Sequence, residues 1–249
     1  MTPPLDWLTA NPIAHRGLHD AAAGLIENTA GAVRAAIAAG YGIEVDVQIS
    51  ADGEAMVHHD GVLGRLTEGE GRLDGLRATE LQQIPFRGSG ERMLTLGGLC
   101  DLVAGRATML VELKSRFDGD GRLAARVAAV LAGYRGPVAP MSFDPRPILE
   151  LRHIAPHLTL GLVAAKERPQ PYWKEVPARL LQGMRYLATA AAARPQFLAF
   201  GVADLPAFAP LFARRVLGLP LLTWTVRTEA DRRRAERWAD QMIFEGFRP

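Results

Sequence analysis

The chain has 249 residues, of which 48% are hydrophobic and 22% charged, with a formal net charge of +2 and one cysteine, Cys100. A length near the roughly 250 residues of one (β/α)8 barrel makes a single domain with a sizeable core the expectation. So small a net charge supplies no basic field for nucleic acid or an anionic membrane. A lone thiol forms no internal disulfide and suits a reducing compartment.

The N-terminal stretch Met1-Thr-Pro-Pro-Leu-Asp-Trp-Leu8 has neither the basic nor the apolar region of a secretory signal. No run reaches the 18 or so uncharged apolar residues needed to span a bilayer. A soluble, cytoplasmic protein is expected. Strand-like runs follow at Ile13–His15, Gly42–Gln48, Thr108–Lys114, Val138–Ser142, Thr159–Val163, Phe197–Val202, Leu221–Val226 and Met242–Phe244. Helical segments separate most of them, at Asn28–Ala39, Arg122–Gly133, Arg146–Ile154, Trp173–Ala192, Leu205–Leu217 and Glu229–Asp240. Strands separated by helices pair in parallel, and eight such units close into a barrel, so the predicted fold is an α/β TIM barrel. Residues 49–106 break the rhythm with a hairpin, Ile49–Val57, turning at Asp52-Gly53, a stretch rich in Gly and Arg, and a helix near Thr95–Val103. That is too long for an ordinary βα connection and reads as an insertion after the second strand. Arg168–Pro177 reads as a loop over the top of the barrel.

Taken along the chain, the first chemical signal is His15-Arg16-Gly17 at the end of the first strand. Histidine titrates near neutral pH, arginine offers a planar fork for phosphate oxygens, and a surface loop is the plain alternative. The second strand, Ile43-Glu44-Val45-Asp46-Val47-Gln48-Ile49, carries the strongest signal. Alternation puts Glu44 and Asp46 on one face and the aliphatic residues on the other. In a closed barrel the apolar face meets the helices, so both carboxylates enter the lumen, where burial demands cations. The alternative is a half-exposed edge strand. Met56-Val57-His58-His59-Asp60 ends the hairpin, and only one of its adjacent histidines can face the site; Asp60 also suits a turn or cap.

The third barrel strand repeats the pattern, with Glu112 and Lys114 on one face and Val111 and Leu113 on the other. Glu44, Asp46 and Glu112 together make an all-oxygen cradle suited to Mg²⁺ or Ca²⁺ rather than zinc. Lys114 then binds phosphate or neutralises a carboxylate. Trp224, at a late strand end, is either a core residue or an apolar wall of a substrate pocket. Arg232-Arg233-Arg234 lies among acidic residues and reads as a solvated helix face. His19, His153 and His157 show no defensible metal-ligand spacing. Cys100 reads as a small core residue.

These pieces resemble the glycerophosphodiester phosphodiesterase family. The resemblance rests on His15-Arg16-Gly17, Glu27-Asn28-Thr29, Glu44-Val45-Asp46, His59-Asp60 with Leu63-Gly64-Arg65, Glu112-Leu113-Lys114, Ser142-Phe143 and Trp224-Thr225-Val226, in family order. It implies a TIM barrel with an insertion after strand two and a divalent cation, Mg²⁺ or Ca²⁺, on Glu44, Asp46 and Glu112. It further implies His15 and His59 as the acid/base pair, with Arg16 and Lys114 on the phosphate. The implied reaction is hydrolysis of a small-molecule phosphodiester to glycerol 3-phosphate and an alcohol. The rivals are a phospholipase D-like or lyase activity on lysolipids and a non-catalytic phosphate-binding barrel.

Two departures from the family pattern stand near the C-terminus. Arg227 replaces a frequent Asn, and the last strand runs into Glu245-Gly246 rather than Asp before Pro. Both are expected to shape the alcohol pocket. Arg227 would then favour anionic head groups, unless it turns to solvent and pairs with Glu229.

Overall fold

A computed structural model describes residues 5–165 and 184–249. The expected loop at 168–177 and the first part of the helix expected at Trp173–Ala192 lie outside the described residues; the helix is described as Met184–Ala193. The strands are β1 (Ile13–Ala14), β2 (Gly42–Ile49), β3 (Ala55–Val57), β4 (Met109–Leu113), β5 (Val138–Ser142), β6 (Gly161–Ala164), β7 (Phe197–Gly201), β8 (Leu221–Val226) and β9 (Gln241–Phe244). All but β3 pair in parallel in the order β1-β9-β8-β7-β6-β5-β4-β2, and a β1–β2 pairing closes the ring. The expected eight-stranded barrel forms, with β3 added antiparallel on the end of β2.

Alternation along each strand divides the core in two. Ile43, Val45, Val47, Val111 and Leu113 face outward, in one cluster with the helix residues Val33, Ala36, Leu99 and Val127. Ile13, Leu110, Met141, Phe197, Leu222 and Ile243 fill the lumen. Leu8, on the short helix Asp6–Thr9, joins them at the N-terminal strand ends, where Trp7 O accepts from Thr108 Oγ1 at 2.9 Å. The lower lumen is thus a packed apolar plug, which confines the inward-facing polar residues to the C-terminal ends of the strands.

The 49–106 stretch divides differently from the expectation. Met56, Leu73, Leu81, Phe86 and Met93 build a small core of their own. The helix Leu96–Val103 instead presents Leu96, Leu99, Cys100 and Val103 to the barrel's outer layer. That i, i+3, i+4, i+7 stripe makes it the crossover helix between β2 and β4, so 50–95 is the added part. The Cys100 thiol is buried there, and its pKa is pushed up to about 11 by that burial. Helix ends also move where a side chain has another task. The helix expected at Asn28–Ala39 starts at Ala30, because Asn28 takes a positive φ of 59° and turns toward β2. The last ends at Trp238, with Asp240 free to accept from the Leu221 amide at 2.8 Å. On that helix Arg233 and Arg232 pair with Glu229 and Glu236, the solvated face expected. Among the described residues no helix is long and apolar enough to cross a membrane.

One lumen contact gives a direct stability test. Gly161 faces Phe197 in register, and a Cβ on it would lie 2.2 Å from the phenyl ring. Gly161→Ala is expected to cost about 1–3 kcal/mol through overpacking. Urea unfolding of Gly161→Ala in the wild-type and Phe197→Leu backgrounds checks the cause: the cost should shrink once the ring is gone.

Candidate active site

The two inward carboxylates of β2 meet the third across the parallel ladder. Asp46 stands in register with Glu112 of β4. Glu44 and Asp46 are each 1% exposed and Glu112 8%, and one oxygen of each lies within 4.8 Å of the others. Lys114, directly after β4, places Nζ 2.8 Å from Asp46 Oδ1 and 2.5 Å from Glu112 Oε1. Arg16 closes the other side. Its Nε is 3.1 Å from Asp46 Oδ2, and one terminal nitrogen is 2.8 Å from Glu27 Oε1. Its backbone amide donates to Glu44 Oε2 at 3.0 Å. That aim requires a reversal of the chain, which Arg16 (φ 57°) and Gly17 (φ 80°) supply. A Cβ at Gly17 would also lie 2.9 Å from Ala32, so glycine is needed twice over.

The electrostatics are uneven. Burial alone would raise the pKa of Asp46, but Lys114 and Arg16 outweigh it and hold the carboxylate well below the usual range. Glu44 goes the other way: burial, reinforced by the charges of Asp46 and Glu112, pushes its pKa well above the usual range. Its Oε1 is buried with no hydrogen-bond partner. An orphaned oxygen among three converging carboxylates is what a hard divalent cation satisfies, and the donors are all oxygen. The residues therefore fit Mg²⁺ or Ca²⁺.

Asn28 is a support the sequence reading left without a role. Its Nδ2 donates to Asp46 Oδ2 at 2.9 Å and its Oδ1 accepts from the Asp46 amide at 3.2 Å, fixing both ends of that residue.

Both histidines of the expected pair stand beside the cradle, each held through Nδ1. His59 Nδ1 is 2.7 Å from Asp60 Oδ1, and Asp60 Oδ2 accepts from Arg65 Nε at 2.5 Å. Gln48, inward-facing on β2, donates from Nε2 to His59 O at 2.7 Å. Asp60 is therefore more than a turn residue. His58 faces away, 1% exposed, its ring 6.0 Å from that of Phe86 in the insertion's core. Burial pushes its pKa down to about 4, so it stays neutral. His15 Nδ1 lies 2.5 Å from Glu245 Oε2, while its Nε2 is 3.9 Å from Glu44 Oε2. Burial lowers the His15 pKa despite that partner.

Glu245 is the largest omission of the sequence reading. It follows Ile243 by two positions and so faces the same side of β9 as that lumen residue, and β9 pairs with β1 only when the ring closes. Arg227 reaches it, with Nε 2.5 Å from Glu245 Oε1, whereas Glu229 pairs with Arg233. The two departures from the family pattern thus contact each other, and Glu245 also contacts His15. This corrects the expectation that Arg227 either offers a free cationic fork to the alcohol or pairs with Glu229.

A cavity of about 280 Å³ leads outward from His59 and Lys114, between the insertion (Gly61, Leu73) and the loop after β4 (Ser115, Arg116). Trp224 is half-buried on the lumen side of β8. Its Nε1 donates to Ala199 O at 3.2 Å, and its ring meets Phe143 edge-on at 5.4 Å.

Known proteins resemble this chain in sequence and in fold. The chain is 29% identical over 161 residues to a glycerophosphodiester phosphodiesterase of Caldanaerobacter subterraneus subsp. tengcongensis, covering 61% of this chain and 65% of that one. It is 40% identical over 83 residues to glycerophosphodiester phosphodiesterase 1 of Bos taurus, covering 32% of this chain and 23% of the relative. The match thus spans just under two thirds and about a quarter of these curated relatives. Among solved structures, a glycerophosphoryl diester phosphodiesterase assignment from Silicibacter pomeroyi superposes with a TM-score of 0.74 at 26% identity, covering 93% of this chain and 88% of that one. An Oleispira antarctica phosphodiesterase, solved with the product sn-glycerol-3-phosphate, shares the fold with a TM-score of 0.75 at 20% identity, covering 96% and 94%. The model of the glycerophosphoryl diester phosphodiesterase family matches residues 15–246, nearly the whole chain, so this protein belongs to that family.

Proposed function

We propose that the chain hydrolyses glycerophosphodiesters to glycerol 3-phosphate and an alcohol, with a divalent cation on Glu44, Asp46 and Glu112. The observation that carries this reading is the buried carboxylate triad with its orphaned Glu44 oxygen, set between Arg16, Lys114 and two carboxylate-held histidines. The name of the Oleispira structure, which records glycerol 3-phosphate as that enzyme's product, supports the same product here.

When bound, the cation would supply Lewis-acid polarisation of a non-bridging phosphate oxygen. The chain's own residues do the rest. Arg16 and Lys114 lie on two sides of Asp46 and can exchange carboxylate contacts for phosphate oxygens as charge grows there. Each histidine is tied through Nδ1 to a carboxylate that only accepts, so Nδ1 carries the proton and Nε2 is left for the substrate. One Nε2 takes a proton from the attacking oxygen, of water or of the neighbouring glycerol hydroxyl, as that oxygen bonds phosphorus, and the other, protonated, gives its proton to the departing alkoxide as the P–O bond breaks; where the glycerol hydroxyl attacks, water then opens the cyclic phosphate. Trp224 and Phe143 offer an apolar wall, and the cavity beside His59 provides room for the alcohol.

The test is release of glycerol phosphate from a panel of glycerophosphodiesters, read by a coupled dehydrogenase. Release of free choline from lysolipids, leaving lysophosphatidate or its cyclic phosphate, with no turnover of the deacylated diesters, would favour the lipase-like rival. Binding of diesters without turnover would favour the non-catalytic one.

A further inference from the structure

Each catalytic histidine has a carboxylate behind it, and each carboxylate has an arginine behind it. In the local case, His59 Nδ1, Asp60 and Arg65 Nε form a chain within seven residues, with contacts of 2.7 and 2.5 Å. In the other, His15 Nδ1 reaches Glu245 Oε2 at 2.5 Å, and Glu245 Oε1 accepts from Arg227 Nε at 2.5 Å. Its members directly follow β1, β8 and β9, and meet only because those strands neighbour one another in the closed barrel. Two unrelated stretches reach the same connectivity, down to the use of the guanidinium Nε.

We propose that Glu245 and Arg227 are positioning residues for His15, acting as a relay equivalent to the Asp60–Arg65 pair behind His59. This rests on the hydrolytic reading above and deepens it, giving Glu245 and Arg227 the task of holding His15 in its working orientation. The physical reason is tautomer and orientation. A carboxylate cannot donate, so Glu245 fixes the proton of neutral His15 on Nδ1 and points Nε2 at the cradle. Arg227 holds the second carboxylate oxygen, so the group cannot rotate away. His19, whose Nε2 is 3.6 Å from the same Glu245 oxygen, crowds that oxygen from the third side. Glutamine is nearly isosteric with glutamate but accepts on one side only. Its amide nitrogen must face either the Arg227 Nε–H or the His15 Nδ1–H, and one of those donors loses its acceptor.

The experiment measures kcat, KM and Tm for wild type, His15→Ala, Glu245→Gln, Arg227→Gln and the Glu245→Gln/Arg227→Gln double variant. Glu245→Gln should lower kcat by about 10- to 100-fold, the usual worth of a group that orients a functional histidine, with KM within about twofold. Arg227→Gln should lower kcat less, by about 3- to 10-fold. The double variant should lose no more than Glu245→Gln alone, since Arg227 acts only through Glu245. The relay is overturned if the two losses multiply, if KM or Tm shifts account for the fall, or if Glu245→Gln turns over at the wild-type rate. Should Glu245→Gln fail to fold, Arg227→Gln, altered at an exposed position, decides alone: a fall in kcat at constant KM supports the relay and a wild-type kcat overturns it. The two levels fail separately. An inactive wild type, or a fully active His15→Ala, defeats the hydrolytic reading; wild-type behaviour of Glu245→Gln beside an impaired His15→Ala defeats only the relay.

Discussion

His15→Ala and His59→Ala are each expected to lower kcat by about 10²–10⁴, the usual range for removal of a general acid or base, while the protein stays folded. His15 follows β1 and His59 follows the added strand β3, both outside the packed layers, so the lumen plug of Phe197 and Leu222 is untouched. His58→Ala makes the contrast. It removes a buried ring packed near Phe86 and is expected to lower Tm, with kcat of the folded fraction retained. An aryl phosphodiester separates the two roles. A nitrophenolate leaves without a proton, so the variant lacking the acid should regain most of its rate on that substrate, and the variant lacking the base should not. If His58 rather than His59 proved essential, the facing of this hairpin end would be the wrong basis for the mechanism.

The second large effect is metal removal. Dialysis against EDTA is expected to reduce turnover below detection, and Mg²⁺ or Ca²⁺ to restore it. The physical case lies in Glu44, whose orphaned oxygen and raised pKa mark a place where negative charge is undercompensated. A bound cation should also stabilise the fold, by about 2.7 kcal/mol at a concentration a hundred times its Kd. A thermal shift on titrating Ca²⁺ into the chelated protein reads this without any turnover, and Glu44→Gln should abolish it. Full activity in chelator after dialysis would remove the cation from the mechanism.

The barrel and the carboxylate cradle were legible because they rest on strand parity. Period-two alternation in Glu44-Val45-Asp46 and Glu112-Leu113-Lys114 states which side chains enter the lumen, and closure of the barrel brings them together. The His58/His59 choice needed the family resemblance, since parity only says that the two diverge. What escaped were contacts that depend on where distant strands land. Glu245 lies 230 residues from His15 in sequence, and nothing local in Phe244-Glu245-Gly246 announces a histidine partner. Asn28 escaped for a backbone reason: its positive φ removes it from the helix that its neighbours begin. The helix Leu96–Val103 was visible as a helix, but its place in the outer layer depends on how far the added segment 50–95 returns to the barrel.

The added strand β3 has a consequence for how the site fails. β2 is laddered to β1 at Gly42–Ile43, to β4 along Ile43–Val47, and to β3 along Val47–Ile49. Amide protons of this strand exchange with solvent only after neighbouring ladders open, which places Glu44 and Asp46 in a protected part of the barrel. The peripheral segments can fray and re-form while the carboxylate pair keeps its spacing. The carboxylate pair should therefore have no half-open form of its own: it persists until the ring breaks, and is lost with it.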